Sequence, residues 1–176
     1  VMPYANPYIE MMAQGKADRY DSMDTDLITN EIVKEVIPYI EKNYNVLTDS
    51  NNRAIAGFSL GGRQTLACGL GHRGYYTFVL TYANGSKEKY DTIYVGNEYE
   101  TNFANGTYAP IETLKKELKL MWLGTGKDDF LIQASLGLEE YLTKQGLKHT
   151  FYNPGGGHTW MNCRDYLELT AKELFK

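Results

Sequence analysis

A serine flanked by glycines is the feature of this sequence with the clearest chemical meaning. It lies in residues 57–62, Gly-Phe-Ser-Leu-Gly-Gly, between a short apolar segment and a helical stretch. A serine on a sharp strand-to-helix turn needs small neighbours, because larger side chains would clash with the adjoining strand and helix. Free N–H groups at the helix start also favour a developing negative charge. The pattern predicts that Ser59 is a nucleophile; the alternative is a tight glycine-rich crossover with an incidental serine.

A serine nucleophile needs a base, and the sequence offers three histidines. His158 follows three glycines, after the last predicted strand and before the last predicted helix. A general base occupies that place in α/β proteins whose triad runs serine, acid, histidine along the chain. His72 lies just beyond the helix that follows Ser59, where a solvated surface role is expected, and His149 begins a strand. We therefore predict that His158 is the base; the alternative is a loop histidine at a helix start.

The third member of such a triad is a carboxylate that holds the imidazole in the correct tautomer and stabilises the imidazolium. Asp128 and Asp129 follow the penultimate predicted strand. Successive side chains point in different directions, so only one of the two should face His158. Asp129 is favoured. The other aspartate would then cap a helix or bind backbone N–H groups of its loop.

Elements that could position these residues alternate along the chain. Helices are predicted over residues 24–44, 61–69, 111–117, 131–145 and 161–175, and strands over residues 53–58, 76–82, 119–124 and 149–153. The first helix has an apolar stripe with a four-residue spacing, formed by Ile28, Ile32, Val36, Ile40 and Tyr44. Pro38 should kink or split this helix. The alternation predicts an α/β fold with a mainly parallel sheet.

The composition is that of one globular domain, predicted over residues 1–176. Of these residues 43% are hydrophobic and 23% charged, and the net charge is −4. No apolar run approaches the roughly 20 residues of a membrane helix. The mild acidity argues against a nucleic-acid partner, which needs a basic stripe. Two cysteines and three histidines are too few to suggest a disulfide framework or a structural zinc site. The chemistry of a serine, histidine and aspartate triad requires no metal or organic cofactor.

Three segments in this order resemble a group of α/β-hydrolases that includes the feruloyl and acetyl xylan esterases of carbohydrate esterase family 1. They are residues 53–62 with the preceding residues 37–44, residues 126–132 (Gly-Lys-Asp-Asp-Phe-Leu-Ile) and residues 155–160 (Gly-Gly-Gly-His-Thr-Trp). The second aspartate of the middle segment, Asp129, matches the acid of the group. The resemblance implies an α/β-hydrolase fold and a serine esterase that is secreted or periplasmic. Its implied substrate is a feruloyl or acetyl ester on plant polysaccharide such as xylan.

The sequence departs from that group before the serine. Complete members have several strands before the long helix, and a His-Gly-rich loop that donates one oxyanion N–H, whereas here at most one strand, residues 1–3, precedes the helix predicted over residues 24–44. Leu60 can donate its backbone N–H, but the second donor is missing. We therefore expect that the chain lacks its N-terminal strands and needs a preceding segment of the same polypeptide. The alternatives are an esterase of the same group for S-formylglutathione, siderophore or lipid esters, and a non-catalytic glycan-binding remnant.

Several secondary candidates remain. Trp160 could line the acyl pocket or pack within the last helix. Cys68 and Cys163 are expected to be buried thiols. The irregular residues 84–110 are either a surface insertion or a lid or wall that stacks on a phenolic group or a sugar. Their aromatic side chains are Tyr90, Tyr94, Tyr99, Phe103 and Tyr108. An acidic cluster is expected to be a solvated helix start rather than a calcium loop; it comprises Asp18, Asp21, Asp24 and Asp26.

Overall fold

A computed structural model describes residues 1–3, 8–17, 25–72, 74–76, 78–82 and 98–176. The chain divides into two compact units, Val1–Thr48 and Asp49–Lys176, which are described separately below. The prediction of one catalytic domain over the whole chain stays a prediction. Five residues of the predictions above lie outside the described residues: Asp18, Asp21, Asp24, Tyr90 and Tyr94.

The first unit is helical in its described part. Its elements are α1 (Ile9–Ala13), α2 (Asp26–Glu31), a π-helical turn (Ile32–Val36) and α3 (Ile37–Asn43). The last three follow one another without a gap, close to the predicted helix over residues 24–44. Thr25 is the N-cap residue of α2, although its side chain makes no capping hydrogen bond. Residues 1–3 form no strand.

The π-helical turn accommodates Pro38, which the sequence analysis expects to kink or split the helix. Pro38 lies in the first turn of α3, directly after Ile32–Val36. Proline has no N–H and clashes with the carbonyl four residues earlier, and a wider turn with one extra residue relieves both constraints. The extra residue also changes the buried face: Ile28 and Val33, five positions apart, are buried, whereas Tyr44 of the predicted stripe is 59% exposed.

The second unit contains a four-stranded parallel sheet in the order β1-β2-β3-β4. Its strands are β1 (Ala54–Phe58), β2 (Phe78–Tyr82), β3 (Leu120–Gly124) and β4 (Thr150–Tyr152). Its α-helices are α4 (Leu60–Gly71), α5 (Glu98–Ala104), α6 (Ile111–Glu117), α7 (Ile132–Lys144) and α8 (Trp160–Ala171). Every strand in the predicted set is present. All strands run in the same direction, so their carboxyl ends meet at one edge of the sheet.

Both faces of β2 are covered, which explains why this strand is an unbroken apolar run. On one face, a Cβ added to Gly69 of α4 would lie 2.7 Å from Val79, and the Thr81 hydroxyl donates to the carbonyl of Gly62 at 3.2 Å. On the other face, Leu80 and Tyr82 pack in one cluster with Trp122 and Tyr166. Helices on both sides of a parallel sheet confirm the predicted α/β class.

A buried hydroxyl pair anchors α8 to the sheet. The Tyr82 and Thr170 hydroxyls lie 2.5 Å apart, and the Thr170 hydroxyl also donates to the carbonyl of Tyr166. Burial raises the pKa of Tyr82 to about 12, although the hydrogen bond with Thr170 opposes the shift. The phenol therefore stays neutral and can donate its proton. Thr170 lies in the last turn of α8, so this contact holds the carboxyl-terminal end of the helix against β2.

The described aromatic residues of the segment 84–110 pack against their own chain, with Tyr99 and Tyr108 buried and Phe103 partly buried. Helix α5 forms where an irregular segment was predicted, Tyr99 and Tyr108 are buried, and the Phe103 ring stacks on Tyr141 with centroids 5.1 Å apart. Aromatic rings covered by their own chain cannot stack on a substrate. The lid or wall interpretation is therefore wrong for Tyr99 and Tyr108, and the Phe103 ring faces its own chain.

Neither Cys68 nor Cys163 forms a disulfide with a described residue, and Cys68 is fully buried, as predicted, whereas Cys163 is partly buried. Burial raises the pKa of the Cys163 thiol, which disfavours the reactive thiolate form. No helix within the described residues has both the length and the apolar character needed to cross a membrane.

Candidate active site

Ser59 lies on a strained turn between β1 and α4. Its backbone has φ 60° and ψ −119°, and a positive φ is rare for a residue with a side chain. The Ser59 N–H donates to the carbonyl of Tyr82 at 2.9 Å, which continues the pairing of β1 with β2. A Cβ added to Gly57 would lie 2.0 Å from the carbonyl oxygen of Gly61. The turn can therefore close only with glycine at position 57, as the sequence pattern indicates.

The structure brings His158 and Asp129 together. Nδ1 of His158 lies 2.9 Å from Oδ2 and 3.1 Å from Oδ1 of Asp129. The Asp129 side chain is 1% exposed and the His158 side chain 19%. The Leu131 N–H also donates to Oδ1 of Asp129 at 2.8 Å, which fixes the carboxylate. A carboxylate at Nδ1 selects the tautomer that carries its proton there, and Nε2 is left free to accept one.

Asp128 points elsewhere. Its Oδ2 accepts a hydrogen bond from the Gly156 N–H at 3.1 Å, and its side chain is exposed. This is the loop contact predicted for the aspartate that does not face the histidine. The catalytic role of Asp129 remains a prediction, but of the two aspartates it is the one in contact with His158.

The loop after β3 and the loop after β4 are joined by backbone hydrogen bonds beyond the ends of the strands. The Thr125 N–H donates to Tyr152 at 3.0 Å, the Lys127 N–H to Pro154 at 2.8 Å, and the Asp128 N–H to Gly156 at 3.1 Å. These bonds hold the segment that carries Asp129 beside the segment that carries His158.

Three residues that hold these loops together, two within the loops and one in α8, were not singled out from the sequence. A Cβ on Gly126 would lie 1.9 Å from the carbonyl oxygen of Gly156, so only glycine permits the close approach. The Asn153 amide donates to the Thr125 carbonyl at 2.6 Å, and the Asn162 amide donates to the Gly157 carbonyl at 3.1 Å. The sequence feature that could have indicated the two asparagines is their place on either side of the glycine triplet, because asparagine commonly binds loop backbone.

His158 reaches the serine turn across the sheet. β1 and β4 are the outer strands, and three strand spacings separate them by about 14 Å. The imidazole nevertheless stacks on Phe58, with ring centroids 4.5 Å apart and an interplanar angle of 25°. Within the described residues no hydrogen bond joins the Ser59 side chain to His158, and such catalytic contacts commonly tighten only when substrate binds. The geometry therefore places the base beside the residue that precedes the serine.

Leu60 and Trp160 lie at the starts of two helices near this point. Leu60 is the first residue of α4, so its N–H belongs to the first turn, where intrahelical acceptors are missing. Trp160 is the first residue of α8; its side chain is 77% exposed and its ring lies 5.2 Å from that of Phe58. High exposure does not fit the packing alternative for Trp160, so its role as a substrate contact stays open as a prediction.

The other histidines make different contacts. Nδ1 of His149 lies 2.7 Å from the Leu147 carbonyl oxygen, and its Nε2 lies 4.0 Å from a carboxylate oxygen of Glu139. His72 is partly buried at the carboxyl end of α4. Of the predicted acidic cluster, the described member is Asp26, which is exposed in the first turn of α2. A search of the described part of the chain finds no cluster of three or more His, Cys, Asp or Glu side chains suited to a metal ion.

Comparisons with known proteins give the same fold and family. Residues 4–168 match the model of the family described as "Putative esterase". In an alignment 185 positions long, the chain is 28% identical to an endo-1,4-beta-xylanase/feruloyl esterase of Xylanibacter ruminicola. The alignment covers 97% of this chain and 21% of that protein. The chain is also 22% identical over 154 residues to an acetyl esterase of Caldicellulosiruptor saccharolyticus. This alignment covers 76% of this chain and 58% of that protein.

A solved structure supports the fold. The chain aligns with the ferulic acid esterase of the anaerobic fungus Anaeromyces mucronatus in complex with ferulic acid, at a TM-score of 0.67 and 21% identity. The alignment covers 99% of this chain and 59% of that chain. The chain thus spans less than two thirds of the length of each of these proteins. The predicted α/β-hydrolase fold is confirmed, and the chain belongs to the "Putative esterase" family.

Proposed function

We propose that this chain carries the catalytic serine, acid and base of a serine esterase. The observation that carries the proposal is the contact between a buried carboxylate and an imidazole, Asp129 with His158, beside the strained turn of Ser59. Membership of an esterase family supports the same reaction class. A glycan-binding remnant without activity would have no need for a strained serine or for a buried carboxylate on a histidine.

The reaction begins with attack of the Ser59 hydroxyl oxygen on the ester carbonyl carbon. Nε2 of His158 takes the hydroxyl proton as the new C–O bond forms, and the carbonyl π electrons move onto the oxygen. The Leu60 N–H, in the first turn of α4, donates to this oxyanion. Asp129 stabilises the imidazolium through Nδ1. When the carbonyl re-forms, the ester C–O bond breaks and His158 returns the proton to the leaving alcohol.

Hydrolysis of the acyl-enzyme repeats these steps with water as the nucleophile. His158 takes a proton from water as the water oxygen bonds to the acyl carbon, and then protonates the Ser59 oxygen as that bond breaks. The products are a carboxylic acid and the regenerated serine. Every proton is moved by His158, so the cycle needs no metal or organic cofactor.

The substrate class we propose is a feruloyl or acetyl ester on plant cell-wall xylan. The names of the two curated relatives, a xylanase/feruloyl esterase and an acetyl esterase, support this choice. The exposed indole of Trp160 beside the base would give a planar phenolic group or a sugar a surface for stacking. Such a substrate lies outside the cell, so we also propose that the protein is secreted or periplasmic.

A hydrolysis panel tests the substrate class in the intact protein. Release of ferulate from methyl ferulate, of acetate from acetylated xylan and of formate from S-formylglutathione is measured, with Ser59→Ala as the blank. We expect hydrolysis of methyl ferulate or acetylated xylan with a kcat/KM at least about tenfold above that for S-formylglutathione, about 1.4 kcal/mol in transition-state binding. Hydrolysis of S-formylglutathione alone would overturn the substrate class. A folded protein inactive on every ester would overturn the esterase itself.

A further inference from the structure

We propose that Phe58 is a positioning residue that sets the plane of the His158 imidazole against the serine turn. This inference deepens the proposed function and rests on it. Phe58 precedes Ser59 directly, and its ring stacks on His158 with centroids 4.5 Å apart at 25°. The residue before the nucleophile would then do more than fill the turn, because its side chain links the base to the serine.

The stack supplies a constraint that Asp129 cannot provide alone. Both carboxylate contacts, at 2.9 and 3.1 Å, are made to Nδ1, one atom of the imidazole ring. A hydrogen bond at one atom leaves the ring free to rock about that bond, which would swing Nε2 toward or away from Ser59. A face-to-face neighbour removes this freedom, because a rocking ring would collide with it.

Phe58 is itself held firmly. It is the last residue of β1 and pairs in register with Tyr82 of β2, and the next residue, Ser59, donates its N–H to the Tyr82 carbonyl. Its ring also packs against the core cluster that contains Tyr82 and Trp122. Because Phe58 is held at the same strand end as Ser59, its ring keeps the imidazole of His158 at a fixed position relative to the serine turn.

The stack also suits the charge that His158 gains during the reaction. An aromatic face attracts a cation, and His158 becomes an imidazolium in each proton transfer. Asp129 is the charged side chain in contact with His158 within the described residues, and Asp128 binds the same loop through the Gly156 N–H. A second ring, that of Phe130, lies 4.6 Å from His158, but it is tilted by 47° and its side chain is 65% exposed.

The test compares Phe58→Leu, Phe58→Tyr and Phe130→Leu in the intact protein. Leucine keeps apolar bulk without a ring, and tyrosine keeps the ring. We expect kcat of Phe58→Leu to fall by about tenfold to a hundredfold with KM changed less than about twofold, because the base is misplaced after substrate binds. Phe58→Tyr should restore most of kcat, and Phe130→Leu should lower it less than Phe58→Leu does. Far-ultraviolet circular dichroism checks that each variant is folded.

A second readout does not depend on activity. The imidazole proton resonances of His158, assigned by their loss in His158→Gln, should carry a ring-current shift that becomes clearly smaller in Phe58→Leu and persists in Phe58→Tyr. An active wild type whose Phe58→Leu variant keeps kcat and the same His158 resonances would overturn the positioning role and leave the esterase intact. A wild type that hydrolyses no ester would overturn the proposed function and the catalytic role of Phe58 with it, whatever the resonances show.

Discussion

Asp129→Asn should lower kcat for ester hydrolysis by about 10⁴-fold while the protein stays folded. The carboxylate accepts the Nδ1 proton of His158 at 2.9 Å, and an amide placed there can turn its NH₂ group toward the ring. The ring would then adopt the opposite tautomer, with Nε2 protonated and unable to accept the serine proton. Asparagine fills almost the same volume, and its oxygen can still accept the Leu131 N–H at 2.8 Å. Steady-state kinetics on a phenolic ester measures the loss.

Asp128→Asn is the matched control for this prediction. The adjacent carboxylate is exposed and binds the Gly156 N–H at 3.1 Å, and an asparagine oxygen can accept the same bond. We expect its kcat to stay within about threefold of the wild type, because an exposed contact of this kind contributes little. If Asp128→Asn lost the larger part of kcat, or if both variants lost equal amounts, the assignment of Asp129 as the acid would be wrong.

Gly57→Ala should be the most disruptive single-methyl substitution near the serine. The added Cβ would lie 2.0 Å from the carbonyl oxygen of Gly61 and 2.3 Å from its carbon, and these are backbone atoms that cannot rotate away. The turn must open by an ångström or more, which displaces Ser59 from the base and from the Leu60 N–H. We expect kcat to fall by roughly 10²-fold or more, together with a lower melting temperature in differential scanning calorimetry.

Gly61→Ala is the control that shows whether the loss in Gly57→Ala comes from a steric clash or only from replacing a glycine in the turn. Apart from its chain neighbours and the adjoining backbone of α4, no heavy atom of the described residues lies within 4 Å of a Cβ built at Gly61. The residue is the second of α4, a position that accepts alanine. This variant should retain its melting temperature and most of its kcat. Wild-type activity in Gly57→Ala would show that the turn does not require the close approach of residues 57 and 61.

The parts of the fold that the sequence predicts well depend on local constraints. The turn around Ser59 is visible because the close approach of residue 57 to the backbone of residue 61 demands glycine at position 57. The alternation of apolar strands and amphipathic helices gives the parallel sheet, and a parallel sheet brings the residues after β1, β3 and β4 to one edge. The meeting of Asp129 with His158 follows from that edge and from the order of the motifs.

The remaining features depend on contacts between distant residues. The turn before Pro38 shows that a helix can absorb a proline by adding one residue, which period counting cannot foresee. Tyr99 and Tyr108 are buried by tertiary packing, although their segment reads as polar and irregular. Gly126 is required because Gly156, thirty positions away, approaches it. Nothing in the local sequence of either loop carries that information.

The most direct test of Ser59 as a nucleophile activated by His158 is covalent labelling of the folded, intact protein with a fluorophosphonate, followed by mass spectrometry of its peptides. The serine oxygen bonds to phosphorus as fluoride leaves, and His158 takes the proton. We expect one phosphonyl group, on Ser59, and labelling at least about a hundredfold slower in His158→Gln. An adduct on another residue, an unlabelled Ser59 in folded protein, or an equal labelling rate in His158→Gln would contradict the proposed site.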